Sequence, residues 1–590
     1  MNKNLLLHLG KTITTSLLLA VVSWGCSWTL LLDQGMNQLL KNGKIRGLTL
    51  VIVNGEKTEY IKGYGFADAA GETPVGADTV FRIGSISKVF TAISAQQLVE
   101  AGVLDIQQPL TTYLPGFSIQ PNPSNTGTAS DITPWHILTH SSGLPSSFFH
   151  THYSQMPPTL NEYTAQFSDE YLAQTPGEYF SYSNTGMTIL GDLIEHLSGQ
   201  GFKQYTDNNI FMPLEMTSTS FEPNSTMLNK LSNNFVWNGT TASFEVRPHT
   251  AVAETPAGNL YSNAKDMAKF MKALLRESSG AVNPGEEKLL ASASWQAMFS
   301  QQNSASVVDQ LTGLKFGLGW FLEDHYAGAV VEHGGDVSGF HSHMMLIPEQ
   351  NLGVFISFNT NSALPAKFIA DFVMDLTLQN VRKIKKPAVG PQATDVIWTE
   401  DQLNELPGIY NASAYLLSLN IYRQDALLKV DGLGADARLQ LKSDGTVWFV
   451  NNITNKNIFP IPGKIAEYNG GKLIVSDSGI LQRFQPVPIP AAWVARVGSY
   501  AATEMVYEGS NYLPLAPTTE FGELLIENGV LKVSFGGGAS TLVLVPYADD
   551  KAYIHGLGRN AGETVWIDNE GHLRAQGKIF IAQTTVPSEN

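Results

Sequence analysis

The stretch Phe81-Arg82-Ile83-Gly84-Ser85-Ile86-Ser87-Lys88-Val89-Phe90 places a serine directly after a glycine and a lysine three residues later. Apolar residues recur at spacings of three and four, at Ile86, Val89, Phe90 and Ile93. This periodicity predicts a buried amphipathic helix over about residues 85–100. Residues i and i+3 share a helical face, so the Lys88 amine should lie close to the Ser85 hydroxyl.

Ser85 and Lys88 have the chemistry of a nucleophile and its base. A serine hydroxyl is a poor nucleophile until a neighbouring base takes its proton. A lysine can be that base when burial or nearby cations lower its pKa. The helix N-terminus also directs backbone N–H groups toward negative charge that forms there. The motif therefore predicts a nucleophile, a base and part of an oxyanion site within one helical turn.

A second copy of the pattern, Ser262–Lys265, shows that Ser-x-x-Lys is weak evidence alone. Either copy by itself is more often an ordinary helix start than a nucleophile. The second copy has a structural explanation, because Asn263 and Asp266 predict an N-capped surface helix. The first copy needs support from the rest of the chain.

The composition indicates an acidic, multidomain protein. The chain has 590 residues, and 43% of them are hydrophobic, which is enough for several cores. Its net charge of −16 argues against nucleic acid and anionic membrane surfaces as main partners. The single cysteine, Cys26, excludes an internal disulfide framework and disfavours a thiolate metal site.

The N-terminus has the pattern of a secretory signal. Lys3 and Lys11 precede an apolar run over about residues 17–32. Cys26 follows a glycine, as at a bacterial lipoprotein cleavage site, although the two residues before that glycine fit the pattern poorly. Cleaved export, lipid attachment at Cys26 and an uncleaved membrane anchor remain open. Export to the periplasm or cell envelope is favoured.

Tyr182 and Asn184 follow a Pro-Gly loop. A tyrosine in that position can place its phenol over a cleft, hydrogen-bond to the lysine and pass a proton to a leaving group. Asn184 can orient Lys88 or hold a substrate carbonyl. The same Tyr-Ser-Asn triplet recurs at 261–263, and the alternative for Tyr182 is a half-buried structural tyrosine.

His333-Gly334-Gly335 comes at the end of a predicted strand. Glycine has no Cβ, so the backbone here can approach a bound substrate closely. A backbone N–H near Asp336 is predicted to complete an oxyanion pair with the N–H of Ser85, while His333 lines the pocket wall. As an isolated tripeptide, an ordinary turn is the default reading.

Two other histidines, His136 and His140, have the spacing of metal ligands on a helix. Ile137 stands where a zinc protease has its glutamate, and no third ligand is evident. Packing at a helix end is therefore favoured over metal binding. No metal or organic cofactor is expected.

Taken in order, Ser85-x-x-Lys88, Tyr182-x-Asn184 and His333-x-Gly335 resemble the three active-site elements of the serine β-lactamase and penicillin-binding-protein superfamily. The resemblance covers about residues 38–380 and is to the class C β-lactamase-like branch. Further matching segments are 81–84, 132–144, 176–177, 256–258 and 317–320. It implies an α/β (α+β) domain with an antiparallel sheet flanked by helices, and catalysis by Ser85, Lys88 and Tyr182.

One departure from the family pattern concerns the third element. In β-lactamases and most transpeptidases it begins with a lysine, whose cation helps to hold the substrate carboxylate. His333 stands there instead, and histidine is a weaker and pH-dependent cation. Esterases, D-aminopeptidases and related peptidases of the superfamily often carry His-x-Gly, so the resemblance shifts toward these enzymes.

The C-terminal third reads as all-β. Short β-runs alternate with turns after a linker at 385–391, and a second linker at 486–490 divides the region. The predicted organisation is a signal peptide or membrane anchor, a hydrolase domain and two β-barrel-like domains, at 1–32, 38–384, 400–486 and 492–586. This layout resembles that of bacterial D-aminopeptidases, in which a barrel loop narrows the cleft. Residues 534–539 are a candidate for that loop, with an ordinary surface turn as the alternative.

The sequence thus predicts an exported serine hydrolase that acts through a Ser85 acyl-enzyme on small peptides, particularly those with D-residues, or on esters. One alternative is a DD-peptidase or β-lactamase acting on cell-wall peptides or β-lactams. Another is a catalytically inactive envelope protein that binds or senses a ligand. The expected partner is a peptide or small-molecule substrate, with membrane attachment through the N-terminus left open. The oligomeric state is also left open.

Overall fold

The computed structural model describes residues 28–582 except 123–124, 148–158, 250–252, 283–287, 338, 362–363, 389–392, 413–416, 434–435, 455–456, 458–462, 469–470, 477–478, 503–520, 536–539, 558 and 576–577. Lys3, Lys11, Cys26 and most of the predicted signal segment lie outside the described residues, as does most of the candidate loop 534–539. Within the described part, no helix combines the length and apolarity needed to cross a bilayer.

The first region is built on an antiparallel sheet and two shorter ladders. The described strands are β1 Gly47–Asn54, β2 Lys57–Gly65, β3 Phe81–Arg82, β4 Asn234–Asn238, β5 Ser243–Arg247, β6 Tyr261–Ser262, β7 Lys315–Phe316, β8 Phe321–His325, β9 Gly328–Val337, β10 Phe340–Ile347, β11 Leu352–Phe358 and β12 Thr360–Asn361. Seven of them form the sheet, in the order β2-β1-β11-β10-β9-β8-β7. The ladders are β3–β6 and β12-β4-β5.

Helices cover both faces of this sheet. Successive side chains of a strand point to opposite faces, and β1 shows the result. Val51 and Val53 belong to the core on one face, whereas Leu50 and Ile52 belong to the core on the other. The predicted antiparallel sheet flanked by helices is confirmed.

The helices differ in which of the two cores they join. Trp28–Gly43 and Ala366–Thr377 contribute to the core that contains Leu50. The remaining helices of this region are Ser87–Glu100, Leu110–Tyr113, Pro134–Leu138, Leu160–Ala165, Asn184–Ser198, Phe202–Thr206, Ser225–Leu228, Thr255–Gly258, Ala264–Ser278, Ser292–Met298 and Val307–Thr312. Three of them, at Ser87–Glu100, Asn184–Ser198 and Ala264–Ser278, fill the opposite core around Val51.

The helix after Ser85 differs from its prediction in two ways. It begins at Ser87, because Gly84–Ile86 forms a separate 3-10 turn. It is also buried nearly all round rather than amphipathic. Its polar side chains are accommodated by hydrogen bonds: the hydroxyl of Thr91 donates to the carbonyl of Pro256 at 2.7 Å, and that of Ser94 donates to the carbonyl of Phe90 at 2.9 Å. The prediction of an amphipathic helix assumed that one face is exposed to water, and this helix has no such face because protein encloses it on all sides.

In its described residues, the C-terminal third contains two eight-stranded antiparallel units. The strands are β13 Asp395–Val396, β14 Gly408–Ala412, β15 Leu417–Gln424, β16 Leu427–Asp431, β17 Ala437–Lys442, β18 Thr446–Asn451, β19 Gly463–Tyr468, β20 Gly471–Ser476, β21 Gly479–Arg483, β22 Gly498–Ala502, β23 Phe521–Glu527, β24 Val530–Phe535, β25 Ser540–Ala548, β26 Lys551–Ile554, β27 Thr564–Ile567, β28 Leu573–Ala575 and β29 Lys578–Ala582. The first unit is the sheet β14–β21, whose two end strands, β17 and β18, also pair with each other; β13 pairs with β17 as well. The second unit, β22–β29, is a closed barrel.

Both units open with the same local device. A short helix, Glu400–Glu405 or Ala491–Val494, precedes the first strand. The hydroxyl of Tyr410 then donates to the carbonyl four residues earlier at 2.9 Å, and that of Tyr500 does the same at 2.6 Å. The triplet Thr-Val-Trp also occurs in both units, at 446–448 and 564–566, but on the fifth strand of the first unit and on the sixth strand of the second. The two units are therefore alike at their first strand, and the shared triplet does not occupy equivalent strands.

The three regions meet in a small apolar cluster. Tyr179 of the first region packs there with Leu473 and Ile480 of the first β unit and Leu557 of the second. Close by, Gly562 of the second barrel has a φ of +76°, and a Cβ at this position would lie 1.8 Å from the carbonyl oxygen of Ala173. The barrel is thus seated on the first region through backbone contact that only glycine permits.

We expect Gly562→Ala to lower the free energy of unfolding by about 1–3 kcal/mol, because it adds steric overlap to the cost of a left-handed backbone. Gly529→Ala is the matched control: its φ is +74° in the same barrel, and a Cβ there meets nothing within 4 Å. The difference in melting temperature between the two variants isolates the overlap. Equal destabilisation by both variants would contradict a tight contact at Ala173.

Glu170 predicts a pH dependence of stability at the same junction. Burial, reinforced by the charges of Glu563 and Asp169, raises the pKa of the Glu170 carboxyl from 4.5 to about 8. The folded-state pKa thus exceeds the unfolded one, so the associated stability is fully present below about pH 4.5 and is lost as the pH rises to about 8. We expect Glu170→Gln to raise the melting temperature at about pH 9 and to change it little at about pH 4. The same shift at both pH values would show that ionisation of Glu170 is not the cause.

Candidate active site

Ser85 lies in a turn that is pressed against the end of strand β9. Gly84 has a φ of +54°, and a Cβ on it would lie 2.7 Å from the backbone nitrogen of Asp336. On the facing strand, a Cβ on Gly335 would lie 1.9 Å from the carbonyl oxygen of Ile83 and 3.1 Å from the backbone nitrogen of Ser85. Both glycines are therefore required sterically, and together they bring the backbone near Asp336 next to Ser85.

The amine of Lys88 is fully buried beneath this turn. Its Nζ lies 3.1 Å from Ser85 Oγ, 2.6 Å from Asn184 Oδ1 and 2.7 Å from the carbonyl oxygen of Ala257. Burial holds the pKa of Lys88 well below its ordinary value of 10.5; Glu254 opposes this effect and Arg559 adds to it. Lys88 is thus placed and tuned to exchange a proton with Ser85.

Asn184 orients the lysine from the first turn of helix Asn184–Ser198. The side chain of Ser183 caps this helix by accepting a hydrogen bond from the backbone N–H of Gly186. The side-chain amide of Asn184 donates to Ser147 Oγ at 2.8 Å, and its backbone N–H donates to the carbonyl of Ser146 at 2.7 Å. Because the amide nitrogen is engaged by Ser147, the amide oxygen faces Lys88.

Tyr182 reaches the same point from the loop before that helix. Burial raises the pKa of its phenol, and a hydrogen bond with Ser85 and the charge of Arg559 partly oppose that rise. Lys88 Nζ lies 4.7 Å from the centroid of the Tyr182 ring. The predicted hydrogen bond between Lys88 and Tyr182 is replaced by this ring contact, because the amine is directed at Ser85, Asn184 and the carbonyl of Ala257.

His333 and Asp336 have different surroundings although both lie on β9. His333 is buried, its Nδ1 contacts the carbonyl of Gly334 at 2.7 Å, and its ring lies 6.4 Å from that of Tyr182. Burial and the charge of Lys88 lower the pKa of His333 to about 3, so the ring is neutral. The side chain of Asp336 is exposed and pairs with His341. Of the two residues, only His333 places its side chain beside the tyrosine.

The two histidines at metal-like spacing have separate structural roles. His140 has a φ of +52°, accepts a hydrogen bond from the backbone N–H of Ser183 at 3.2 Å, and packs 4.4 Å from the ring of Tyr182. His136 contacts Thr133 in a capping interaction. The described residues hold no cluster of three or more side chains suited to a metal ion.

The second Ser-x-x-Lys copy is part of the framework. Ser262 lies on β6, which pairs with β3 immediately before the Ser85 turn. Asn263 caps helix Ala264–Ser278 by accepting a hydrogen bond from the backbone N–H of Asp266. The predicted capped helix is confirmed, and Lys265 is exposed to solvent.

Three groups at the site carry no motif that singles out their role. The carbonyl of Ala257 belongs to a matched segment, but a backbone acceptor has no signature in the sequence. Glu254 is buried, accepts a hydrogen bond from Tyr163 at 3.0 Å and acts electrostatically on Lys88. Arg559 comes from the second barrel, and its guanidinium lies 5.5 Å from the centroid of the Tyr182 ring.

Comparison with known proteins finds relatives of the first region. Protein flp of Staphylococcus aureus strain MRSA252 is 27% identical over 333 residues, which are 56% of this chain and 62% of that protein. The chain thus spans less than two thirds of the length of that relative. The D-alanyl-D-alanine-carboxypeptidase/endopeptidase AmpH of Escherichia coli K12 is 23% identical over 363 residues, covering 59% of this chain and 88% of AmpH.

Solved structures share the fold over a longer part of the chain. The octameric penicillin-binding protein homologue from Pyrococcus abyssi aligns with a TM-score of 0.53 at 20% identity, covering 77% of this chain and 99% of that one. SurE aligns with a TM-score of 0.56 at 20% identity, covering 76% and 97%.

The family model described as Beta-lactamase matches residues 32–379, which is more than half of the chain and contains Ser85, Lys88, Tyr182 and His333. The protein therefore belongs to the Beta-lactamase family, the serine hydrolases of β-lactamase and penicillin-binding-protein fold.

Proposed function

We propose that this protein is a serine hydrolase that works through an acyl-enzyme on Ser85. The observation that carries the proposal is the position of the Lys88 amine, buried within 3.1 Å of Ser85 Oγ and held by two carbonyl-type oxygens. This arrangement also argues against an inactive binding protein, because a buried lysine is costly and has a direct chemical use here.

The two oxygen acceptors explain how Lys88 can act as a base. A neutral amine has two N–H groups and one lone pair. Asn184 Oδ1 and the carbonyl of Ala257 can only accept hydrogen bonds, so they take the two N–H groups. The third direction, toward Ser85 Oγ, is left for the lone pair. The lowered pKa of Lys88 makes this neutral form available.

In the proposed acylation step, Ser85 Oγ forms a bond to the substrate carbonyl carbon while its proton passes to Lys88. Negative charge develops on the carbonyl oxygen, and the backbone N–H groups of Ser85 and Asp336 are proposed to stabilise it. The contacts at Gly84 and Gly335, which bring the two backbone segments together, support this assignment.

Breakdown of the tetrahedral intermediate requires a proton for the leaving group. The phenol of Tyr182, which interacts with Ser85, is proposed to give its own proton to the leaving group as the scissile C–N or C–O bond breaks, and the proton taken up by Lys88 then replaces it on the phenol. In deacylation, the water that attacks the ester gives a proton through Tyr182 to Lys88, and Lys88 passes that proton to Ser85 Oγ as the ester C–O bond breaks. Hydrolysis releases the acid and restores the Ser85 hydroxyl, so no cofactor is needed.

The proposed substrates are small peptides, particularly those with D-residues, or esters. A neutral His333 supports this choice over β-lactams, because it does not supply the cation that a lysine brings to the third element. A cell-wall DD-peptidase is the second candidate, and the similarity to AmpH favours it. Nitrocefin, p-nitroanilides of D- and L-amino acids, and p-nitrophenyl esters separate these candidates.

Export to the cell envelope is part of the same proposal. It is supported by the charged and then apolar N-terminal sequence up to residue 32. Cell fractionation of the full chain, followed by intact-mass measurement of its N-terminus, distinguishes cleavage, lipid attachment at Cys26 and retention.

We expect Ser85→Ala to abolish labelling by a fluorophosphonate probe, because the variant lacks the nucleophilic oxygen. Ser262→Ala, which removes the serine of the second Ser-x-x-Lys copy, should label like the wild type. Intact-mass spectrometry counts the adducts on each protein. Full labelling of Ser85→Ala would refute the assignment of the nucleophile.

We expect Lys88→Met to slow acylation by p-nitrophenyl acetate about 100- to 10,000-fold, because the general base is removed while the apolar stem is kept. Lys265→Met, at the exposed lysine of the second copy, should acylate at the wild-type rate.

The wild-type acylation rate should also rise with pH as Lys88 loses its proton, and should level off well below the ordinary lysine value of 10.5. The rate of the burst of p-nitrophenol release, measured across pH, tests whether acylation accelerates in this way. A rate that keeps rising to about pH 10 would contradict a lowered pKa for Lys88.

A further inference from the structure

The segment His555–Glu563 of the second barrel, of which the structure describes every residue except 558, forms part of the wall of the active site. It connects β26 to β27 and is closed at its base, where the backbone N–H of Ile554 donates to the carbonyl of Glu563 at 2.9 Å and that of Gly562 donates to the carbonyl of Ile554 at 2.8 Å. We call this stretch the barrel segment. The candidate loop predicted from the sequence, 534–539, is a different part of the same barrel.

The barrel segment is bonded to the loop that orients Asn184. The backbone N–H of Ser146 donates to Glu563 Oε1 at 2.7 Å, and its hydroxyl donates to Asn560 Oδ1 at 2.5 Å. The carbonyl of Ser146 accepts from the backbone N–H of Asn184, which in turn holds Lys88. Leu557 is buried in the apolar cluster with Tyr179. Residues on both sides of Arg559 are therefore anchored.

Arg559 itself is exposed while its guanidinium lies 5.5 Å from the Tyr182 ring. In the described part of the chain, no hydrogen bond or ion pair joins it to another residue. The acidic side chains of Glu563 and Asp336 have partners of their own: Glu563 accepts a hydrogen bond from Ser146, and Asp336 pairs with His341. The guanidinium of Arg559 therefore has N–H donors available at the mouth of the active site, where they can bind an anionic group of the substrate.

Arg559 also differs from the other basic groups around Ser85. Lys88 is buried and used by the proposed chemistry, and His333 and His140 are held neutral by burial. Arginine keeps its proton at any working pH. Its position over Tyr182, the proposed proton donor to the leaving group, puts it on the leaving-group side.

We propose that Arg559 is a specificity-determining residue that binds a carboxylate on the leaving-group part of the substrate. The planar guanidinium fork matches a carboxylate with two parallel hydrogen bonds. This cation comes from the second barrel and lies over Tyr182, whereas the third element on β9 carries a neutral His333. This inference rests on the proposed acyl-enzyme function and adds the chemical class of the leaving group.

The test compares two activated substrates that differ only in that group. Benzoylglycyl thioglycolate releases a thiol that carries a carboxylate, and the corresponding thioglycolamide releases a neutral one. Thiol release by the full chain gives kcat/KM for each substrate, and their ratio measures recognition of the carboxylate. We expect the wild type to prefer the acid, and Arg559→Gln to lower the ratio about 10- to 100-fold.

Two further variants separate recognition from a general effect of charge or folding. Arg559→Lys keeps the positive charge and should retain a larger share of the ratio than Arg559→Gln does. Lys464→Gln removes an exposed cation on β19 of the first β unit and should leave the ratio unchanged. The ratio is independent of the fraction of active enzyme, so partial misfolding does not imitate the effect.

Two outcomes would overturn the inference: a wild type with no preference for the acid, or a ratio that is unchanged in Arg559→Gln, including the case in which activity on both substrates falls equally. Failure of the proposed function looks different. Ser85→Ala would then hydrolyse both thioesters at the wild-type rate, whatever residue stands at position 559.

Discussion

The burial of the Lys88 amine is the constraint on which the rest of the active site depends. Desolvation makes the neutral amine accessible, but a buried amine needs partners for its N–H groups. Asn184 Oδ1 and the carbonyl of Ala257 are those partners, and they come from two separate helices. The close packing of these helices against Ser87–Glu100 is therefore a requirement of the proposed chemistry as well as of the core.

The same constraint extends outward to the second barrel. Asn184 is turned toward Lys88 because Ser147 holds its amide nitrogen, and the adjacent Ser146 is held by Glu563 and Asn560. A displacement of the barrel segment would reach Lys88 through this short series of hydrogen bonds. The second barrel is thus connected to the active site by these hydrogen bonds, in addition to its covalent link through the polypeptide chain.

The residues found from the sequence are those that bear chemistry and stand in local motifs. Ser85 and Lys88 are one turn apart, so their proximity follows from helical geometry alone. Tyr182 and His333 were placed by the order of motifs that resembles the family. The contact between Lys88 and Tyr182 was predicted as a hydrogen bond and is a ring contact instead. The prediction was wrong because the amine donates to Asn184 and to the carbonyl of Ala257, and these acceptors lie far from Lys88 in the sequence.

The amino-acid sequence by itself determined the nucleophile turn, the capped helix after Asn263 and the all-β character of the last third. These features depend on spacing between near neighbours, which a linear chain carries directly. Only the tertiary structure decided that the helix after Ser85 is buried all round, that Ala257 and Glu254 surround Lys88, and that Arg559 reaches Tyr182. These features depend on which distant segments pack together, and no local periodicity encodes a contact between residues 182 and 559.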